Sequence, residues 1–177
     1  NTDLKITLNN LELDNFILKN HDYLVDKRYY DLASGKQEYR LYSYLTTFFN
    51  NSVILDIGTS QGRSAVALSH NESNKVISYN ILDQINNPNH KIYTKKNIEF
   101  RIANILDDLS KDLISNCHIV LIDIDHYEVT ETKIIKRLYE LGFSGIILLD
   151  DIDHPWSDMK KAMHRLWNSI TYEKYDI

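Results

Sequence analysis

The sequence predicts an α/β fold built on a doubly wound, mostly parallel sheet. Three observations carry that prediction. Short apolar runs recur along the chain, amphipathic stretches of helical period separate them, and a glycine-bearing turn joins the first clear run to a small-residue helix. The runs are continuous in apolar residues rather than alternating. That pattern marks strands covered on both faces, as in a parallel sheet between two helical layers.

The elements follow in order. Residues 1–33 give the weakest pattern, with Asn-rich pieces between short apolar ones such as Phe16-Ile17-Leu18. Ser34-Gly35-Lys36-Gln37 has the form of a capping box, with Ser34 as N-cap and Gln37 reaching back. The helix that follows puts Leu41, Leu45, Phe48 and Phe49 on one face. Val53–Asp56 reads as the first strand and 61–70 as the helix after it. Lys75–Asn80 is a second strand, Ile98–Ala103 a third, and Asp107–Ser115 a short helix. His118–Asp123 is a fourth strand, and Glu128–Leu141 a helix with Ile134, Ile135, Leu138 and Leu141 inward. Gly142 is a natural C-cap. Gly145–Asp150 is a fifth strand. Pro155 stands near the start of a last helix, whose apolar face is Met159, Ala162, Met163, Leu166 and Trp167. Ile170–Ile177 reads as a sixth strand. No repeat, linker or low-complexity tract divides the chain. Residues 1–177 are therefore expected to form a single domain, with an N-terminal extension and helix over 1–50 and the α/β core over 51–177.

Composition narrows the class. A chain of 177 residues suits one domain with a real core, and 43% hydrophobic with 25% charged residues is ordinary for a soluble globular protein. The net charge of −5 argues against a nucleic-acid partner bound through its phosphates. Cys117 stands alone, so no internal disulfide forms, and a reducing compartment, the cytoplasm, is expected. No apolar run approaches the ~20 residues that span a bilayer, so no membrane role is expected. The N-terminus, Asn-Thr-Asp, lacks the basic segment and apolar run of a signal peptide and reads as trimmed or processed.

Candidate chemistry sits where the strands end, because ligands of open α/β sheets bind beyond the carboxyl ends of the strands. The first strand delivers Asp56 and then the turn Gly58-Thr59-Ser60-Gln61-Gly62. Glycines let backbone N–H groups come close to a ligand where a Cβ would block them. The spacing is neither the dinucleotide G-x-G-x-x-G pattern nor a P-loop. The second strand delivers Asn80, with Asp83 nearby, and the third delivers Ala103-Asn104. The fourth delivers Asp123-Ile124-Asp125-His126-Tyr127, and the fifth Asp150-Asp151. Asp123, Asp150 and Asp151 thus converge on one edge of the sheet. Unpaired, they would raise one another's pKa. A hard cation relieves that repulsion, and all-oxygen donors favour Mg²⁺, with Mn²⁺ or Ca²⁺ next, over zinc.

The acid two residues before Gly58, with a second glycine at Gly62, resembles the first motif of class I S-adenosylmethionine methyltransferases. The segment Ile122-Asp123-Ile124-Asp125-His126-Tyr127, with Leu148-Leu149-Asp150-Asp151-Ile152, resembles the metal-dependent O-methyltransferases over about residues 35–170. That group includes catechol O-methyltransferase and, closer in motif, the cephalosporin-hydroxylase-like methyltransferase family 24. The resemblance implies a Rossmann-like fold, normally with a seventh strand that this chain stops short of. It implies S-adenosylmethionine held at Asp56, Gly58, Ser60 and Gly62, at Asn80 and Asp83 toward the ribose, at Asn104 toward the adenine, and at Asp123. It implies a metal on Asp123, Asp150 and Asp151. The catechol enzymes carry a lysine base where this chain has His126, and imidazole suits proton abstraction near neutral pH. Asp125 is the second candidate for base.

The function implied is methyl transfer to a hydroxyl of a small molecule, sugar or glycan, with a homodimer in keeping with related enzymes. A catalytically silent binding or assembly module is the alternative, supported by Asn80 in place of an acid and by the missing seventh strand. A nucleic-acid methyltransferase is a further alternative, but no N/D-P-P-Y/F motif follows the fourth strand. Trp156 reads as packing or as a stacking surface for a ring substrate. Tyr29, Tyr30 and Tyr39 read as packing or as a substrate lid.

Overall fold

The computed structural model describes residues 10–175. Five parallel strands form one sheet in the order β3-β2-β1-β4-β5. They are β1 Val53–Ile57, β2 Lys75–Asn80, β3 Ile98–Ile102, β4 Cys117–Ile122 and β5 Ile146–Leu149. The helices are α1 Asn10–Asp14, α2 Arg28–Asp31, α3 Ala33–Thr46, α4 Arg63–Leu68, α5 Ile105–Asp108, α6 Lys111–Ile114, α7 Val129–Glu140 and α8 Ser157–Ser169. Short 3₁₀ turns lie at His21–Tyr23 and Lys91–Thr94.

Period-two alternation splits the core into two layers. Ile54, Val76, Ile119 and Leu121 face a layer that includes Tyr39, Tyr42 and Leu45 of α3 and Ala65–Leu68 of α4. Leu55, Ile57, Ile77, Tyr79, Val120 and Ile122 face the other, with Ile105, Ile114, Ile134 and Leu138 from α5, α6 and α7. The central strands β1 and β4 are almost wholly buried. Strand order reverses between β1 and β4, so their carboxyl ends open the crevice expected of a switch point. Among the described residues no helix is long and apolar enough to cross a membrane.

Several expectations need correction. Ser34 is not an N-cap: α3 starts at Ala33 after an extended Leu32 with no side-chain cap. The Leu32 N–H closes α2 on the Arg28 carbonyl while its own carbonyl accepts from Lys36 N and opens α3. A backbone hinge does the work assigned to the capping box. Phe48 and Phe49 lie past the helix end, with Phe49 buried and Phe48 exposed. The helix expected over 107–115 is two separate turns, because Asn104 and Ser110 each cap a new one (Leu106 N to Asn104 Oδ1 3.1 Å, Leu113 N to Ser110 Oγ 3.3 Å). No strand forms over 170–175; there Lys174 Nζ donates to the Trp167 carbonyl at 2.5 Å and the Ile170 carbonyl at 3.0 Å. The segment is thereby folded back onto the end of α8. The remainder of that expected strand, 176–177, and the start of the extension, 1–9, lie outside the described residues. Tyr30 and Tyr39 are buried and stacked at 4.8 Å, so they belong to the core rather than to a lid.

Candidate active site

The turn after β1 is shaped by what surrounds it. Gly58 has φ +111°, and a Cβ there would overlap the Asp123 carbonyl. Gly62 has φ +84°, and a Cβ there would meet the Ile92 side chain. Both positions combine a left-handed backbone with close approach, which only glycine tolerates without strain. The N–H groups of Gly58 and Thr59 both donate to the Tyr79 carbonyl, at 2.9 and 3.1 Å. Asp56 is wholly buried beneath this turn and accepts from Ser78 Oγ at 2.5 Å, while Ser78 also bonds Thr59 Oγ1. Burial pushes the Asp56 carboxyl up to about 6, against the pull of the Ser78 and Ser64 hydroxyls. Asp56 therefore braces the loop from below, and its carboxyl does not face the cleft.

Beside the loop lies a cleft of about 310 Å³, bordered by Thr59, Ser60, Asn80, Asp83, Tyr93 and Phe100 among others. Tyr93 and Phe100 meet edge to face, with centroids 5.3 Å apart. Aromatic walls with a few amide, hydroxyl and carboxylate groups suit a flat base carried on a hydroxylated sugar. Asn80 and Asp83, from the end of β2 and the loop after it, line this cleft. Asn104 does not line it, because its side chain is engaged as the cap of α5.

The second half of the crevice is acidic. The Asp123 N–H bonds the Ile57 carbonyl and the Asp150 N–H bonds the Ile122 carbonyl, so ladder contacts carry both residues side by side past the strand ends. Burial, then Asp150, Asp56, Asp151 and Glu38, push Asp123 up to about 9. Burial and then Asp151 raise Asp150 to about 6, while a hydrogen bond donated by Asp123 pulls it down. The two carboxyls therefore share a proton near neutral pH, as close acid pairs do. Glu38 of α3 joins them. Burial, Asp150 and Asp151 raise it to about 8, and it accepts from Tyr42. Sequence reasoning missed Glu38. The signal available was an acid adjoining Tyr39 and Tyr42 on the helix face that turns inward.

His126 sits over this group. Its Nε2 is 3.5 Å from Asp123 Oδ1 and 3.6 Å from Asp151 Oδ2. Burial lowers the imidazole's pKa, opposed by Asp151 and Glu131, which favours the neutral ring that a general base requires. The backbone is left-handed at φ +58°, and its N–H is held by Glu131 Oε1 at 2.8 Å from the first turn of α7. Glu128 and Asp151 are left-handed too, at φ +65° and +51°. Non-glycine residues held in this region cluster where function fixes the geometry. Asp125 is committed elsewhere: it is exposed, and its carboxylate accepts from Tyr127 N at 3.2 Å and Thr130 Oγ1 at 3.4 Å, closing the turn into α7. Of the two candidate bases, only His126 faces the acids.

Among the described residues no three His, Cys, Asp or Glu side chains form a ready-made metal cage. The donor chemistry of the acid group nonetheless fits a hard divalent cation, whose charge would replace the shared proton.

No family model matches this chain, and no curated protein matches it in sequence. Among solved structures, the SAH-bound methyltransferase PaMTH1 of Podospora anserina is similar, with a TM-score of 0.61 at 13% identity. The likeness covers 78% of this chain and 72% of that one. The two chains share a fold. It is the Rossmann-like α/β architecture, here with the strand order set out above.

Proposed function

We propose that this protein is an S-adenosylmethionine-dependent O-methyltransferase that uses a divalent cation and acts on a hydroxyl of a small molecule or sugar. One observation carries the reading: a glycine loop and base-sized cleft share a switch-point crevice with a partly buried acid group and a buried imidazole. The resemblance of the two sequence motifs and the shared fold with an SAH-bound methyltransferase support it.

When bound, S-adenosylmethionine supplies an electrophilic methyl group, and a divalent cation lowers the pKa of a hydroxyl it contacts. The chain's own residues do the rest. Thr59, Ser60, Asn80 and Asp83 hold the nucleoside end in the cleft. Asn80 offers an amide where a carboxylate would bond ribose hydroxyls more strongly. Gly58 keeps the loop pressed against the Asp123 carbonyl, which fixes the distance between cofactor cleft and acid group. Asp123, Asp150 and Asp151 provide the oxygen donors for the cation. His126 Nε2 takes the hydroxyl proton, and Glu131 holds the backbone N–H of the turn from which that ring projects. Positioning two reactants in a crevice shielded by α3 accounts for most of the rate gain.

Calorimetric titration of S-adenosylhomocysteine, with and without Mg²⁺, tests the reading. Micromolar binding followed by methyl transfer to sugars or catechols, abolished by chelator, is the expected result. Absence of binding by the folded protein would refute it.

A further inference from the structure

Arg63 is the first residue of α4, directly after Gly62, and the reaction above gives it no task. Its side chain is only 19% exposed. The Tyr29 ring, read from the sequence as packing or lid, lies 4.3 Å from the guanidinium carbon. Arg63 Nε donates to the Tyr39 hydroxyl at 3.3 Å, and Nη1 donates to Gln61 Oε1 at 3.4 Å. These contacts fix the plane of the group without answering its charge. Asp26 is 3.6 Å from Nη1, beyond the roughly 2.7–2.9 Å of a charge-assisted bond. Asp26 belongs to Arg28, which holds it through Nη2 at 2.7 Å and through Nε and its backbone N–H at 3.0 Å each. Among the described residues no other carboxylate comes within 4 Å of Arg63, and its Nη2 has no hydrogen-bond partner. A guanidinium cannot shed its proton to relieve this. A planar, largely buried cation with an unfilled fork matches the shape and charge of a carboxylate.

We propose that Arg63 binds the carboxylate of the amino-acid arm of S-adenosylmethionine; this rests on the methyl-transfer reading and assigns the residue that anchors that end of the cofactor. Position selects this anion. A sulfonium carries three arms. In the reading above the nucleoside arm fills the cleft beside Thr59 and Ser60, and the methyl group points to the acids and His126. The amino-acid arm is left to the remaining wall of the crevice, where the glycine loop meets α3. Arg63 stands there: it ends the glycine loop, bonds Tyr39 of α3, and does not border the nucleoside cleft. Its charge also reaches Glu38 on the same helix and opposes the rise in that carboxyl's pKa. A fork already oriented by Tyr29, Tyr39 and Gln61 is preorganised, which lowers the entropic cost of binding. A purely structural Arg63, tying residues 26–29 to the loop, would show no dependence on the ligand's carboxylate.

The test is a calorimetric cycle with two ligands and three proteins. The ligands are S-adenosylhomocysteine and S-adenosyl-3-thiopropylamine, which differs from it only by lacking the carboxylate. The proteins are the parent, Arg63→Met and Arg63→Lys. Arg63→Met should weaken S-adenosylhomocysteine by about 10- to 100-fold, as loss of a charged hydrogen-bond pair does, and leave the decarboxylated compound within about twofold of the parent. Arg63→Lys keeps the charge without the fork and should recover part of the loss. Unchanged binding of the decarboxylated compound also shows that the variant is folded. Equal weakening of both ligands by Arg63→Met, or weakening of neither, overturns the proposal and leaves the cofactor reading in place. A folded parent that binds neither ligand refutes the cofactor reading and this proposal together.

Discussion

Replacing Asp150 by Asn tests whether the acid group is held at the expense of stability. In the folded protein burial and Asp151 raise Asp150 from an ordinary 3.8 to about 6. A carboxyl raised in this way keeps its proton in the folded state after the unfolded chain has lost it. Its contribution is therefore favourable at low pH and is lost as pH climbs from about 4 to about 6. That gap sets a ceiling of about 3 kcal/mol on the loss. Asp150 is only partly buried, and solvent screening brings the expected figure to about 1–2 kcal/mol. Asn cannot ionise, and its amide oxygen still accepts from Asp123. In chelator near neutral pH, Asp150→Asn should melt about 2–8 °C above the parent. Near pH 4 the two should coincide. Mg²⁺ should raise the melting temperature of the parent and leave the variant unmoved, because ligand binding to the folded state alone stabilises it. A variant no more stable than the parent at neutral pH, with the same pH profile, would refute the shared-proton account.

Gly58→Ala adds a Cβ into the Asp123 carbonyl at φ +111°, and strain plus forced backbone shift should cost about 2–5 kcal/mol in urea unfolding, with S-adenosylhomocysteine binding weakened. Asn80→Asp should tighten S-adenosylhomocysteine by about three- to tenfold in calorimetry, since a carboxylate bonds hydroxyls more strongly than an amide. Glu131→Ala removes the acceptor of the His126 N–H, and kcat should fall about ten- to 100-fold with little change in KM for S-adenosylmethionine. Glu131→Gln, which keeps an acceptor oxygen, should recover most of that loss. Leu138→Ala empties a fully buried position of α7 and should cost about 2–5 kcal/mol.

The strands were legible because a parallel sheet buried on both faces needs unbroken apolar runs. Lys75–Asn80 was read to the residue, and the other four strands to within a residue or so at each end. Boundaries set by local hydrogen-bond competition were less legible. Asn104 and Ser110 divide a stretch that reads as one helix, and Leu32 opens α3 without any side-chain cap. The sixth strand was expected from an apolar, aromatic tail, but over 170–175 that tail folds back on the end of α8.

The chain alone dictated that Asp123, Asp150 and the glycine loop would meet. They follow from strand ends, and parallel strands deliver their ends to one edge. It also determined that Gly58 and Gly62 would matter, because a turn between strand and helix needs backbone that only glycine adopts freely. What each polar group does there emerged from the packing of the fold. Asp56 turned downward to Ser78, Asp125 turned to its own helix, and Asn104 turned to its own cap. Glu38 arrived from a helix distant in sequence, and Glu131 fixed His126 from below. Chain spacing encodes where a strand ends. The direction of a side chain depends on which donors lie within about 3 Å of it, and that is settled only when separate segments pack together.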